Sequence, residues 1–388
     1  MSGTLPLPPA LPLPLPPTPP AGGAASAATA PWQPPVGATT SLAVPQWQVV
    51  YNGTDISGDI LPMVTQVSYQ ENVGGLTATM AVNVEDTLYR FQRSSYPQQG
   101  DTIQLSIGYA GAALVPCGSF DIDSFEVAGP PDTFTMHGIQ AGIRNGLRTR
   151  RNIAYENMTV PEIAQAVAAR DGMTAVITPT SPNVVYKRVT QHMETDLYFL
   201  HRLANLHNYE FTIRGNQLVF YGRATLESQA PADTIARAQV IRFAFSNQSL
   251  AHLSYASALV TYQNPSAKAL QSGKATNPAA ASTDQLRLAH RLEQNQQGAL
   301  RAQSALWEAN MEQATATLTM PGTMLYRAGN TVNVKGFGVW DTIKYLVKSA
   351  RHELAPTGYA TYLSLRNVVA GSAASEKVAL PLQKVQAP

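Results

Sequence analysis

Gly100-Asp-Thr-Ile-Gln-Leu105 and Gly329-Asn-Thr-Val-Asn-Val334 are two versions of one pattern. Each runs glycine, then Asp or Asn, then threonine, then two apolar residues flanking an amide. Phe120-Asp-Ile-Asp-Ser-Phe-Glu126 follows the first, and Tyr345-Leu-Val-Lys-Ser-Ala-Arg351 follows the second at a similar offset. Each unit then continues through a proline turn, at Pro130-Pro131 or Pro356, into an alternating strand. The repeat predicts two related β-barrels in one chain, with an α/β domain inserted between them. Repeated head-to-tail contacts usually close into rings. Three such chains would place six modules around a three-fold axis and could join a six-fold object to a three-fold one.

Working outward, the first unit lies in a run of strands from Pro45 to about Gly138. Ala78, Met80, Val82 and Val84 share one face, and Thr77, Thr79 and Asn83 the other. Ile103, Leu105, Ile107 and Tyr109 alternate with Thr102, Gln104, Ser106 and Gly108. This period of two predicts strands with one buried face, Leu105 among the core positions. Asn52-Gly53 and Gly74-Gly75 are turn signals, and Phe120 to Val127 and Thr133 to Gly138 read as a hairpin across Gly129-Pro-Pro131. Strands without helices argue for a small barrel or sandwich.

Near Arg144 the pattern changes. Thr159-Val-Pro-Glu162 is a capping box, and Ile163, Ala166, Val167 and Arg170 follow until Gly172 stops the helix. A second helix is expected from Thr195 to about His207, with Leu197, Leu200, Leu203, Ala204 and Leu206 as its stripe. Glu210 to Ile213 and Gln217 to Tyr221 read as a hairpin turning at Gly215-Asn216. Residues 239 to 262 look like strands, Lys268 to Ser282 like a mobile loop, and Thr283 to about Asn310 like a long helix, weakened by Gly298. Strands return from Thr315 to about Val368. The fold class is therefore α+β, mainly β. The expected division is a Pro/Ala-rich leader at 1–44, a first β-barrel at 45–144 and an inserted α/β domain at 145–238. Connecting strands, loop and long helix follow at 239–314, a second β-barrel at 315–370, and a tail at 371–388.

Composition narrows the function. Charged residues make up 13% of the 388, about half the usual quarter, which hints that much of the surface meets other protein. With 27 basic against 25 acidic residues, a strongly basic nucleic-acid binder and an acidic tail protein are both excluded. One cysteine, Cys117, allows neither an internal disulfide nor a cysteine zinc cluster. No stretch of 18 apolar residues suits a spanning helix. Nine of the first twenty residues are proline, so the leader cannot form the helical apolar segment of a signal peptide. Polyproline II and flexible Ala/Gly/Ser chain are expected there, in a protein retained in the cytoplasm until assembly.

Catalytic motifs are scarce. There is no Gly-x-Ser-x-Gly elbow and no phosphate loop; Gly336-Phe-Gly338 lacks a third glycine and opens no helix. Cys117 sits near a strand turn and reads as structural. His192, His201 and His207 lack metal spacing, His201 and His207 falling on different sides of a helix. Asp121 and Asp123 share a strand face, but nothing identifies the facing cleft that paired-carboxylate chemistry needs. Arg144, Arg148, Arg150 and Arg151 read as a solvated loop or a salt-bridging interface. The other reading is contact with an acidic partner or passing DNA, although tight DNA binding would oppose passage. No catalytic, cofactor or metal residue is assigned, and no cofactor is expected.

Several stretches resemble the late control gene D family of phage tail proteins. They are Phe120 to Pro131, Arg148-Thr-Arg150, Thr159-Val-Pro-Glu-Ile163 and Ala168-Ala-Arg-Asp-Gly172. The most specific is Gln191-His-Met-Glu-Thr-Asp-Leu-Tyr-Phe-Leu-His-Arg-Leu-Ala204. Gly329 to Val334, Gly336-Phe-Gly338 and Tyr345-Leu-Val-Lys-Ser349 look like the family's second barrel. The resemblance covers residues 46 to 368 and omits the leader. It implies the baseplate hub of a contractile tail or related injection particle, similar to the N-terminal part of type VI secretion spike proteins. Such a hub is a homotrimer whose six tube-like barrels continue the hexameric tail tube and whose other face seats a trimeric spike. The implied partners are the chain itself, the tail tube protein and the spike protein, with tape measure and baseplate wedge proteins as further neighbours. DNA only passes through the lumen, and this chain does not insert in a membrane. The implied place is the virion baseplate, after assembly in the host cytoplasm. The chain ends without a spike-like β-helix, so a separate spike chain is expected.

Two other classes stand beside this reading. One is a cell-wall or carbohydrate-binding tail module, built on the α/β domain. The other is a late-gene transcriptional regulator. A regulator needs a recognition helix with exposed basic residues, and the helix from Thr195 to His207 offers only Arg202.

Overall fold

The computed structural model describes residues 43–375, with breaks at 75–76, 94, 141–144, 179–182, 215, 248–254, 265–268, 279, 281, 290–294 and 370–372. The leader up to residue 42, the tail beyond 375, Arg144, Gly75 and Gly215 lie outside the described residues.

The chain opens with β1 (Pro45–Tyr51) and β2 (Thr54–Asp55). Asn52 and Gly53 join them with φ of 47° and 83°, the positive pair that a two-residue hairpin turn requires. A short α1 (Ser57–Ile60), then β3 (Val64–Asn72), β4 (Thr79–Glu85), a short α2 (Arg90–Arg93), β5 (Thr102–Tyr109), β6 (Val115–Ala128) and β7 (Thr133–Gln140) follow. Met80, Val82 and Val84 of β4 and Ile103, Leu105 and Ile107 of β5 are buried, as their period of two predicts. With Val49, Val67, Tyr69, Phe120, Phe134 and Met136 they form one core.

The next segment contains α3 (Asn145–Arg148), β8 (Arg150–Thr159), α4 (Val160–Arg170), β9 (Thr174–Thr178) and β10 (Val185–Thr195). After these come α5 (Asp196–Leu206), β11 (Tyr209–Arg214), β12 (Gln217–Gly222) and α6 (Arg223–Ser228). The Thr159–Glu162 capping box is present in both directions. Gly172 follows α4 at φ 66°, where a side chain is disfavoured. β8 and β10 form an antiparallel ribbon, and β11, β12 and β9 a three-stranded sheet with β9 parallel to β12. Ile163, Val167, Phe199, Leu200, Leu203, Phe211 and Phe220 bury α4 and α5 against these strands.

Beyond β13 (Asp233–Ala236) and β14 (Arg242–Asn247), the chain departs from the sequence-based expectation. The segment read as a mobile loop carries β16 (Ala269–Thr276), antiparallel to β15 (Ser257–Asn264). The segment read as one long helix starts instead with β17 (Gln285–Ala289), parallel to β15, and α7 runs only from Asn295–Asn310. The cause is close packing. A Cβ on Gly273 would overlap the Gly298 backbone, and one on Gly298 would overlap the Tyr262 ring. Two glycines that weaken strand and helix propensity are what let α7 lie directly on β15 and β16. Leu286 and Leu288 keep the strand period of two that a helical reading concealed.

The chain ends its described course with β18 (Ala314–Pro321), β19 (Thr331–Lys335), β20 (Tyr345–Ala355), β21 (Gly358–Asn367) and β22 (Ala373–Ser375). β18 to β21 cover a core of Leu318, Val332, Val334, Tyr345, Val347, Leu363 and Leu365.

The repeat holds at the level of register. Gly100 and Gly329 take φ of 95° and 93° in equivalent turns. Ile103 lies opposite Phe120, and Val332 opposite Tyr345. The Ile122 amide donates to the Asp101 carbonyl at 3.0 Å, and the Val347 amide to the Asn330 carbonyl at 2.9 Å. Both hairpins bulge at the same place, between Ile122 and Ser124 and between Val347 and Ser349. The neighbour order β14-β18-β21-β20-β19 repeats β3-β4-β7-β6-β5.

In place of two closed barrels, one 13-stranded sheet runs over both cores, and among the described residues no sheet closes. The physical reason is the length of β20. Past its bulge, Ser349 to Leu354 pair antiparallel with Asn72 to Val67 of β3, so the second unit hands its edge to the first. Among the described residues, no helix is long and apolar enough to cross a membrane.

Candidate assembly interface

The seam between β3 and β20 is the chain's own example of how one unit meets the next. Tyr69 and His352 lie opposite each other there, rings stacked 18° from parallel at 6.0 Å. His352 Nδ1 sits 2.9 Å from the Tyr359 hydroxyl and 3.2 Å from Thr361 Oγ1. Burial pushes its pKa down to about 4, so the ring is neutral near pH 7. Tyr69 donates to Glu71 at 2.6 Å, and Glu71 faces Arg327 at 3.7 Å. Val67, Tyr69, Ala350, His352 and Leu354 are buried and uncharged along the seam, and the buried Glu71 is the charged group among them.

Two of the sheet edges that lack such cover among the described residues carry exposed apolar side chains. One is β6 past its bulge, where Phe125 and Val127 are 46% and 47% exposed. The other is the outer side of β14, the end strand of the sheet, where Phe243 is 40% exposed.

A second set of contacts fixes the inserted segment. Asp196, fully buried at the start of α5, accepts from Gln191 Nε2 at 2.7 Å and Arg151 Nε at 3.2 Å, and pairs with Arg170 at 2.7 Å. Thr195 caps the helix by accepting from the Tyr198 amide at 3.2 Å. These bonds explain the stretch from Gln191 to Ala204, whose polar residues turn β10 into α5. Of the arginine cluster, Arg151 is thus structural, while Arg148 and Arg150 are exposed.

A third set ties distant elements. Glu227 of α6 accepts from Arg366 of β21 at 2.7 Å and from the Trp307 indole of α7 at 3.0 Å. Arg223 lies 3.9 Å over the Trp307 ring and bonds Glu210 at 3.2 Å and Asn205 at 2.9 Å. Arg366 lies over the same ring at 4.5 Å. Burial raises the Glu227 pKa, against the lowering effect of Arg366. Sequence reasoning missed these residues. Glu227 and Arg366 are separated by 139 positions, and no local pattern signals such a pair.

The sequence-derived chemical candidates stay apart. Cys117 is buried in β6, which pushes its thiol pKa up, away from the reactive thiolate. His192 is exposed, and His201 Nδ1 lies 3.3 Å from Asn205 Nδ2. His207 Nδ1 lies 2.8 Å from the Tyr186 hydroxyl, and burial, aided by Arg301 and Arg202, lowers its pKa to about 3. No group of three metal-ligating side chains gathers among the described residues. Asp121 lies opposite Thr102 and Ile139, and Asp123 falls at the β6 bulge. Arg202, the one basic residue offered for a recognition helix, is held by Glu194 at 3.0 Å.

A family model described as phage tail baseplate hub (GPD) matches residues 143–357. The chain is 26% identical over 201 residues to a probable baseplate hub protein of Escherichia phage P2, covering 51% of this chain and 51% of that protein. It is 25% identical over 169 residues to the probable baseplate hub protein of Escherichia phage 186, covering 44% and 43% respectively. The chain thus spans about half the length of the curated relatives it matches. Its fold is similar to the 43 kDa tail protein of prophage MuSo2 from Shewanella oneidensis, with TM-score 0.62 and 14% identity over 82% of this chain and 97% of that one.

Proposed function

We propose, since the chain belongs to the phage tail baseplate hub (GPD) family, that it is the structural hub of a contractile tail or related injection particle. Three copies would form a ring that adapts a hexameric tail tube to a trimeric spike and lines the channel for DNA or cargo. Its partners would be further copies of itself, the tube protein and the spike protein, in the virion baseplate after assembly in the host cytoplasm. The chain would act by burying interfaces rather than by turnover. Under this reading residues 45–144 and 315–370 are the tube-like units, 145–238 the insertion between them, and 239–314 the connection that α7 closes.

The single observation that carries the reading is the repeated register, Ile103 with Phe120 and Val332 with Tyr345. One chain with two equivalent units can offer six positions from three copies, which a three-fold to six-fold adaptor needs.

Light scattering on the full chain, alone and co-expressed with its tube and spike proteins, tests this. A mass near three times 41.6 kDa is expected. A stable dimer would overturn it, because two chains cannot supply six units.

A further inference from the structure

We infer that the edge of β6 past its bulge pairs antiparallel with the outer edge of β14 in a second copy of this chain, with Val127 opposite Phe245 and Glu126 opposite Ser246. The inference rests on the ring-forming reading above and adds the surface and its register.

The register follows from pairings inside the chain. β6 corresponds to β20, because Phe120 and Tyr345 hold the same place against β5 and β19. Counting on from the shared bulge, Glu126 corresponds to Arg351 and Val127 to His352. β3 corresponds to β14 through their common neighbours. Gln70 pairs with Thr79, and Thr79 with Ile139; Ser246 pairs with Thr315, and Thr315 with Arg366. Gln70 therefore corresponds to Ser246, and Tyr69 to Phe245. In the chain, Arg351 lies opposite Gln70 and His352 opposite Tyr69. Transferring those two pairs gives the proposed ones.

Burial supports the same partner. Ala350, His352 and Leu354 of β20 are buried where β3 covers them. Phe125 and Val127, at the places of Ala350 and His352, are about half exposed. Phe125 stacks on the core ring of Phe134 at 5.3 Å, so it faces the side on which Ala350 is buried. In a second copy Asn247 and Phe245 would stand opposite Phe125 and Val127, and Phe243, on the same face of β14 as Phe245, is itself exposed. β6 and β14 stand seven strands apart in the sheet, too far for one chain to join its own edges. Uncovered strand edges invite pairing with another chain. A contact between two different edges repeats head to tail until a ring closes. Each chain contributes eight strands from β14 to β6, so three chains would close a continuous sheet of 24.

Cysteine cross-linking in the full chain tests the register. Directly opposed antiparallel residues bring their Cβ atoms to about 5 Å, near disulfide range. Glu126 and Ser246 are both exposed, so the substitutions should not disturb folding. Glu126→Cys with Ser246→Cys should give covalent oligomers on oxidation, ending at the size of the ring. Each single variant, and Glu126→Cys with Ala244→Cys, should give at least tenfold less. Assembly at the expected mass with no cross-link, or with preference for the shifted pair, would overturn the inference and leave the hub reading standing. A protein that neither assembles nor cross-links, even with its tube and spike proteins, would overturn both.

Discussion

Phe120 and Tyr345 are the same residue of the fold twice over. Each is fully buried, each begins its strand's pairing with the next one, at Gln140 of β7 or Asn367 of β21, and each lies opposite the second residue of a threonine-led strand, Ile103 or Val332. Around them two cores differ in sequence while sharing this pairing. The energetics of the fold therefore lie in those cores, in the seam between them and in the buried ion pairs that fasten the inserted segment.

Leu105 is 1% exposed in the first core. Leu105→Ala should destabilise the protein by about 2–5 kcal/mol through lost burial and a residual cavity. Leu105→Asp would add a buried unpaired charge and should prevent folding and assembly. Urea titration followed by circular dichroism reads the first, and the soluble fraction on expression the second. Normal assembly of Leu105→Asp would remove this strand from the core.

Glu227→Gln leaves Arg366 buried without its countercharge. Loss of one partner of such a pair costs about 3–5 kcal/mol. The double variant Glu227→Gln with Arg366→Met should recover part of that loss. Additive losses in the double-mutant cycle would show that the two side chains do not act as a pair.

His352 is fully buried with a pKa lowered to about 4, against 6.5 for the free side chain. Below pH 6.5 the unfolded chain binds the proton and the folded chain does not, so stability falls as pH falls toward 4. The loss from this residue approaches about 3 kcal/mol and levels off below the folded pKa. Denaturant titrations at pH 7, 5.5 and 4 should show a shallower decline for His352→Gln. Parallel declines would place the acid sensitivity elsewhere.

Gly273→Ala forces a methyl group into the Gly298 backbone. Moving α7 off β15 and β16 should cost about 1–3 kcal/mol. At an ordinary exposed strand position the same change would be neutral or stabilising, because Ala loses less entropy on folding than Gly. A melting temperature at or above that of the parent protein would mean that the helix does not approach the strand this closely.

The sequence by itself determined whatever is carried by neighbours along the chain. Alternation placed Met80, Val82, Ile103 and Leu105 inside β4 and β5. Thr159 and Glu162 announced α4, and Gly172 its end, because a cap needs only residues three or four positions apart. The paired motifs at Gly100 and Gly329 marked two units that share turn and register. Tertiary structure decided what depends on partners far along the chain. Gly273 and Gly298 look like breakers until they face each other. Glu227, Trp307 and Arg366 carry no local signature of the buried cluster that they form. That the two units share one open sheet follows from β20 outrunning β19 and finding β3, nearly 300 residues earlier. Strand pairing is set by which backbone edges meet in space, and a sequence records side chains, not edges.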